Sequence, residues 1–149
     1  MIVRPLTASD LAAARDLVHQ LGYDVAAAEF GQRFDRIAAS PDHFIAAADL
    51  GGELVGLVHA FQRAALEKPC EAVIQALVVR DTCRRSGVGR GLMCAAEQWA
   101  AARDLTHVVL HTRIDRAAAR LFYESLGYEI SATSDLMRKS LGCRTSGYD

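Results

Sequence analysis

Neither sign of charge dominates this chain of 149 residues: 17 lysines and arginines stand against 18 aspartates and glutamates, a formal charge of −1. A dedicated nucleic-acid binder carries a basic excess, so no nucleic acid is expected as a partner. Long apolar runs are also missing, none reaching the roughly 18–20 residues of a bilayer span, so no membrane partner is expected. The opening Met1-Ile2-Val3-Arg4-Pro5 has no signal-peptide hydrophobic region, and the expected location is cytoplasmic. Cysteines are few and irregularly placed. Cys70, Cys83, Cys94 and Cys143 form no Cys-x-x-Cys pair and have no histidine at ligand spacing. That argues against a disulfide framework and against a zinc site, and no metal is expected. Internal repeats and linker-like segments are absent as well.

The sequence is 51% apolar and 23% charged, a balance that argues against disorder. It contains 26 alanines, which favour helices packed closely on something flatter. The length fits one domain spanning residues 1–149, with 142–149 as a flexible tail.

Ile2-Val3-Arg4 reads as a short strand stopped by Pro5. Thr7-Ala8-Ser9-Asp10 resembles a capping box, and Ala14, Leu17, Val18 and Leu21 follow at helical spacing until Gly22. A second helix after Asp24 carries Phe30, Phe34 and Ile37. Two strand-like runs, His43 to Asp49 and Glu53 to Gln62, flank Leu50-Gly51-Gly52 as a hairpin. Glu71 to Val79 reads as a further strand. Simple alternation puts Val73, Gln75, Leu77 and Val79 on one face and Ala72, Ile74, Ala76 and Val78 on the other. Both faces are mostly apolar, as in a central strand covered on both sides. A long helix with Leu92, Ala95, Ala96 and Trp99 inward precedes a strand over 106–112. Asp115 to Leu126 reads as a helix with Ala118, Leu121 and Phe122 inward, stopped by Gly127. The stretch from Tyr128 to Leu141 reads as one or two edge strands.

The most informative stretch runs from Leu77-Val78-Val79 through Arg84-Arg85-Ser86-Gly87-Val88-Gly89-Arg90 into the long helix. Strand, glycine-rich turn and helix start together make an anion site. The first helical N–H groups have no intrahelical acceptor, and the helix dipole adds positive character there. Glycines remove the side chains that would keep a phosphate away, while Arg84, Arg85 and Arg90 add attraction. A Walker A loop needs Lys-Ser/Thr after its last glycine, where this chain has Arg90-Gly91. The dinucleotide fingerprint needs a third glycine where Leu92 stands.

Arg84-x-x-Gly87-x-Gly89 after an apolar strand resembles the coenzyme A pyrophosphate loop of the GNAT superfamily of N-acetyltransferases. Ala119-Arg120-Leu121-Phe122-Tyr123-Glu124-Ser125-Leu126-Gly127-Tyr128 resembles that family's second hallmark, and the element order matches from Met1 to about Leu141. The resemblance implies an α+β fold with a mixed, mostly antiparallel sheet of about six to seven strands flanked by about four helices. In it, splayed strands form the acyl-coenzyme A cleft. It further implies acetyl transfer from acetyl-CoA to a primary amine, by direct attack in a ternary complex. The acceptor would be a small molecule or a peptide, and a homodimer is compatible with the family.

Residue by residue, the resemblance implies that the backbone of Leu77, Val78 and Val79 meets the pantetheine arm. Arg84, Arg85, Ser86, Gly87, Val88, Gly89 and Arg90 would hold the pyrophosphate. Tyr123 corresponds to the family's general acid, and a phenol with a pKa near 10 stays protonated at neutral pH. Arg116 stands where the family often has a coenzyme-contacting Asn, and an arginine there could reach a phosphate instead. Gln75 stands on the strand where related enzymes often place a Glu base. The proton acceptor for the amine is therefore open between Glu71, His59, His111 and water. Tyr23, Asp24 and Glu67 are candidates for holding a cationic amine. The departures at Gln75 and Arg116 support one rival, a noncatalytic acyl-CoA-binding or sensor module.

Overall fold

The structure, a computed structural model, describes residues 1–142; the rest of the expected tail, with Cys143, lies outside the described residues. The chain divides into two compact units, Met1–Arg113 and Ile114–Asp149.

The first unit is a five-stranded sheet in the order β1 (Ile2–Pro5), β2 (His43–Leu50), β3 (Glu53–Arg63), β4 (Glu71–Val79), β5 (Val108–Leu110). The first four strands run antiparallel in sequence, and β5 joins β4 in parallel. Helices α1 (Leu11–Gln20) and α2 (Ala27–Ala38) follow β1, and α3 (Val88–Ala102) links β4 to β5. Ala14 and Leu17 of α1 pack with Ala47, Leu57 and Val78 on one sheet face. On the other face, a Cβ added at Gly56 would lie 2.9 Å from Leu92 and 3.0 Å from Val88, both on α3. Gly56 thus lets the first turn of α3 sit directly on β3. Trp99 of α3 stacks on Phe44 at 5.5 Å on that same face.

The alanine surplus has a partly different home from the one composition suggests. Besides the helical Ala14, Ala96 and Ala100, the strand residues Ala46, Ala47, Ala48, Ala60 and Ala72 are buried, so the sheet surface is itself thinned for close helix approach.

The chain entry into α1 is pinned by charge. Asp10 accepts Arg4 Nη1 at 2.8 Å and Nη2 at 2.9 Å, and the Thr7 N–H at 2.8 Å. Arg4 Nε also reaches Asp49 at 3.1 Å, tying the turn to β2. Hydrogen bonding from Arg4 outweighs burial and, with Thr7, holds the Asp10 carboxyl well below the usual carboxylate range. Asp10→Ala is expected to lower the unfolding free energy by about 1–3 kcal/mol, read from urea midpoints at neutral pH. The folded pKa lies below the unfolded one, so this contribution is present above the ordinary carboxylate pKa and lost as pH falls through the folded value. The gap between wild type and variant should therefore close in acid.

Two findings correct the expected sheet. Among the described residues the strand count is five rather than six to seven, because residues 128–142 form no strand. Ser131-Ala132-Thr133-Ser134-Asp135 lacks the alternating apolar pattern that would bury a strand face. The expected 106–112 strand is also shorter, since β5 pairs with β4 only from Ala72↔Val108 to Ile74↔Leu110.

The second unit contains α4 (Ala117–Ser125). Gly127, at φ +93°, ends it as expected, with the Tyr128 N–H returning to the Tyr123 carbonyl at 3.1 Å. Leu121, expected inward, is exposed, while Phe122, Tyr123 and Leu126 are half-buried.

Candidate active site

β4 changes character at Gln75. Ala60 of β3 pairs with Ile74 and His59 pairs with Ala76, so Gln75 has no partner and bulges out of the ladder. The pairing with β5 stops at Ile74, one residue earlier. From Gln75 to Val79 the strand is held by β3 on one side and open on the other. The family resemblance implies a splay at the strand before the glycine turn; here the β4–β5 pairing ends at Ile74.

The bulge also reverses the expected faces. Val73 lies opposite Phe61, while Leu77 and Val79 lie opposite Val58 and Gly56. Side chains that face each other across a ladder share a sheet face, so Val73 is now with Ala76 and Val78, and Leu77 and Val79 are on the α3 side. The Arg80 N–H donates to the Val55 carbonyl at 2.8 Å. By alternation Val78 then turns its peptide groups to β3, and Leu77 and Val79 turn theirs to the open edge.

The corner after β4 is braced by residues that sequence reasoning missed. Gln20, at the end of α1, donates from Nε2 to the Val79 carbonyl at 3.2 Å and accepts from the Asp81 N–H at 3.4 Å. Arg80 pairs with Glu53 and donates to the Leu54 carbonyl at 2.9 Å. Gln20 lies 59 residues from Val79 in sequence, so no local pattern could have signalled the strap.

Beyond a short 3₁₀ turn, Asp81–Cys83, the loop enters α3 through two left-handed residues, Arg85 at φ 61° and Gly87 at φ 85°. Gly87 is the N-cap of α3 and supplies no side-chain cap. The helical ladder opens with the Gly91 N–H donating to the Gly87 carbonyl at 3.0 Å, leaving the N–H groups of Val88, Gly89 and Arg90 ahead of it. A Cβ at Gly87 would meet nothing within 4 Å, so this glycine serves backbone conformation and open space, not packing. Gly91 is the packing glycine of the set, with a Cβ there 2.8 Å from Met1. Ser86 donates to the Cys83 carbonyl, which braces the turn from within. Arg84 pairs with Asp81 at 2.7 Å, whereas Arg85 and Arg90 are exposed and make no ion pair among the described residues. The site can therefore receive a diphosphate on uncapped N–H groups, with two exposed positive side chains nearby.

The remaining candidates fall elsewhere. Glu71 is bonded to Arg63 at 3.0 Å and paired with Lys68 at 3.3 Å; burial pushes its carboxyl up, but these bonds outweigh that and hold it below its ordinary value. His59 sits on the α1/α2 face opposite Ala76, and burial, with His43 adding, pushes its imidazole down to about 4. His111, just past β5, is exposed. Tyr23, Asp24 and Glu67 are exposed too. Cys70, Cys83 and Cys94 are free thiols, and no cluster of metal-ligating side chains occurs among the described residues. No helix among them is long and apolar enough to cross a membrane.

Tyr123 and Arg116 belong to the second unit, Arg116 as the residue before α4. The Tyr123 ring is edge-on to Phe122 at 5.2 Å and to Tyr128 at 6.0 Å. Burial pushes its phenol up, partly offset by the Arg116 charge, so it holds its proton through the neutral range.

Residues 11–128 match the Acetyltransferase (GNAT) family. No curated protein matches the chain by sequence. Among solved structures, an aminoglycoside antibiotic 6'-N-acetyltransferase from Acinetobacter haemolyticus aligns with a TM-score of 0.84 at 20% identity, over 95% of this chain and 100% of that one. The aminoglycoside N-acetyltransferase AAC(6')-Iy in complex with CoA aligns with a TM-score of 0.85 at 18% identity, over 93% of each chain. Glucosamine-6-phosphate N-acetyltransferase from Arabidopsis thaliana aligns with a TM-score of 0.78 at 21% identity, over 95% of this chain and 98% of that one. Identities at this level speak to the fold.

Proposed function

The chain belongs to the acetyltransferase (GNAT) family, and on that premise we propose that it moves an acetyl group from acetyl-CoA to a primary amine by direct attack in a ternary complex. The observation that carries this reading is the uncapped turn at Gly87, continuous with the open edge of β4. Leu77 offers outward peptide groups and Val79 its N–H to an extended amide chain, and the N–H groups of Val88, Gly89 and Arg90 offer donors to the diphosphate that follows it. Arg85 and Arg90 neutralise the remaining charge. Arg116 is a further candidate for a phosphate. Solved neighbours whose names carry an aminoglycoside or a sugar amine support a small-molecule acceptor in general terms.

In the reaction the acceptor nitrogen bonds to the acetyl carbonyl carbon as the C–S bond breaks. The peptide N–H groups at the open edge near Val79 polarise that carbonyl. Tyr123 gives its proton to the departing sulfur, and the proton shed by the nitrogen passes through water to restore the phenol. Glu71, tied to Arg63 and Lys68, and His59, near 4, are poorly matched to neutral pH, which leaves His111 and water as first acceptor.

The test is thiol release from acetyl-CoA by the full chain over a panel of amino acids, polyamines, aminoglycosides, alkylamines and peptides. Release with at least one amine is expected. Silence across the panel with acetyl-CoA still bound would favour the noncatalytic binding module instead.

A further inference from the structure

The carboxamide of Gln20 reaches from α1 to the end of β4, on the strand's open edge. Its Nε2 donates to the Val79 carbonyl at 3.2 Å, and its Oε1 accepts the Asp81 N–H at 3.4 Å. A primary amide carries donors and an acceptor in one plane, so it meets both groups at once, like a short piece of strand. Gln20 is the last residue of α1. Leu17, one turn back, belongs to a buried cluster with Leu57 and Val78, and Val18 and Leu21 pack on it. The strap is therefore anchored on a part of the helix that is itself fixed to β4.

The bonds around this corner hold its peptides in place. The Val79–Arg80 peptide is held at both ends, its carbonyl by Gln20 and its N–H by the Val55 carbonyl at 2.8 Å. Next along the chain, the Arg80 carbonyl accepts the Cys83 N–H at 2.8 Å, and the Asp81 N–H goes to Gln20. The charges of the corner are paired, Arg80 with Glu53 and Arg84 with Asp81 at 2.7 Å. Along α1 the neighbours of Gln20 are Asp16, one turn back, and His19, which lies 3.8 Å from Asp24. The Val79 N–H points to the same open edge as its carbonyl and is the donor that the corner offers to a ligand.

We propose that Gln20 is a positioning residue for acetyl transfer: by holding the Val79 carbonyl, it aims the Val79 N–H at the thioester oxygen and shields that oxygen from the carbonyl beside it. The proposal rests on the acetyltransferase reading. The N–H and C=O of an extended residue point to the same side, so a thioester oxygen on the Val79 N–H has the Val79 oxygen as its neighbour. Two oxygens bearing negative charge repel. The repulsion grows as the thioester oxygen gains charge in the transition state, and the Gln20 N–H on the Val79 oxygen offsets it. Such a benefit is larger in the transition state than in the bound thioester, so its loss falls on kcat more than on affinity. Coenzyme affinity rests on the diphosphate at the first N–H groups of α3, which Gln20 does not touch. Gln20 is exposed, so water can replace it on both groups and the fold persists, without the fixed aim.

The experiment uses the full chain with acetyl-CoA labelled with carbon-13 at the acetyl carbonyl, read by isotope-edited infrared difference spectroscopy, with affinity from calorimetry. In wild type the bound thioester band is expected below that of free acetyl-CoA. In Gln20→Ala that displacement should be at least halved, with affinity changed less than 3-fold. With the amine of the thiol-release panel that wild type turns over fastest, kcat of Gln20→Ala should fall at least 10-fold. Gln20→Glu adds a pH signature. Ionised, it cannot donate to the Val79 oxygen and adds charge beside it; protonated, it donates and accepts as glutamine does. The ratio of wild-type to Gln20→Glu kcat should therefore narrow as pH falls from about 8 to about 5, while the ratio for Gln20→Ala stays flat. A band or a kcat unchanged in Gln20→Ala would overturn the proposal, and so would a Gln20→Glu ratio that ignores pH. Affinity lost in step with kcat would mark a structural brace and overturn it too. Silence of wild type across the panel would overturn acetyl transfer and the effect on kcat, and the band would then decide alone whether Gln20 aims the Val79 N–H.

Discussion

Gly87→Val is expected to weaken acetyl-CoA binding by at least roughly 10²-fold while the chain still folds. The expectation follows from two separable features of this residue. Its φ of 85° is open to glycine and closed to a β-branched side chain, so valine must rotate the backbone that aims the N–H groups of Val88 and Gly89. Losing two charge-assisted hydrogen bonds to a diphosphate accounts for a change of that size. The second feature is the empty space beside it. A Cβ at this position touches no protein atom, so the substitution causes no clash within the fold and its cost to stability is the backbone strain alone, about 1–3 kcal/mol. Gly87→Asn separates the two effects, because asparagine tolerates the left-handed region. Binding retained by Asn and lost by Val assigns the role to backbone conformation; binding lost by both assigns it to contact with the diphosphate. Calorimetric titration with acetyl-CoA, alongside circular dichroism to verify folding, reads the result. Unweakened binding in Gly87→Val would remove this turn from the coenzyme site.

Much of this geometry follows from local chemistry that a sequence displays. β4 is bounded as expected, because an apolar run between Pro69 and a polar, arginine-rich loop has few other ways to fold. Thr7, Asp10, Gly22 and Gly127 mark helix ends for reasons of hydrogen bonding and positive φ that act within a few residues. What escapes such reading is decided by one inserted residue in each of two ladders. Leu50 pairs with Glu53 across the hairpin turn, and an unbroken register from there would set His43 against Ala60 and Phe44 against His59. The two histidines would then lie on opposite faces. The irregularity at Ala48/Asp49 leaves Val55 unpaired and shifts the register by one, which brings His43 and His59 together. The second bulge, at Gln75, is hidden because β4 is apolar on both faces, so an extra residue leaves no mark on its pattern. That bulge sets the faces of Leu77 and Val79 and coincides with the end of β5 pairing. The strap from Gln20 is likewise a long-range outcome.

Tyr123→Phe should lower kcat by about 10²–10⁴-fold with acetyl-CoA affinity nearly unchanged, the range of a lost general acid. The substitution removes one oxygen and keeps the ring, so the edge-on contacts with Phe122 and Tyr128 persist and thermal stability should hardly move. Burial pushes the phenol above its ordinary value near 10, which fixes the sign of the pH dependence. The proton-donating form is complete throughout the neutral range and is lost only as pH rises through that raised value. No fall in wild-type kcat below pH 9 should therefore trace to this group. A donor with a better leaving group separates proton donation from a packing role. The thiolate of an S-aryl thioacetate is a weaker base than that of coenzyme A and departs with less help. The ratio of wild-type to Tyr123→Phe rates should accordingly shrink by at least 10-fold on that donor, following Brønsted behaviour. A lesion in packing would slow both donors alike. Equal ratios on the two donors, or an unaltered kcat with acetyl-CoA, would exclude the phenol as the acid and leave water to protonate the sulfur.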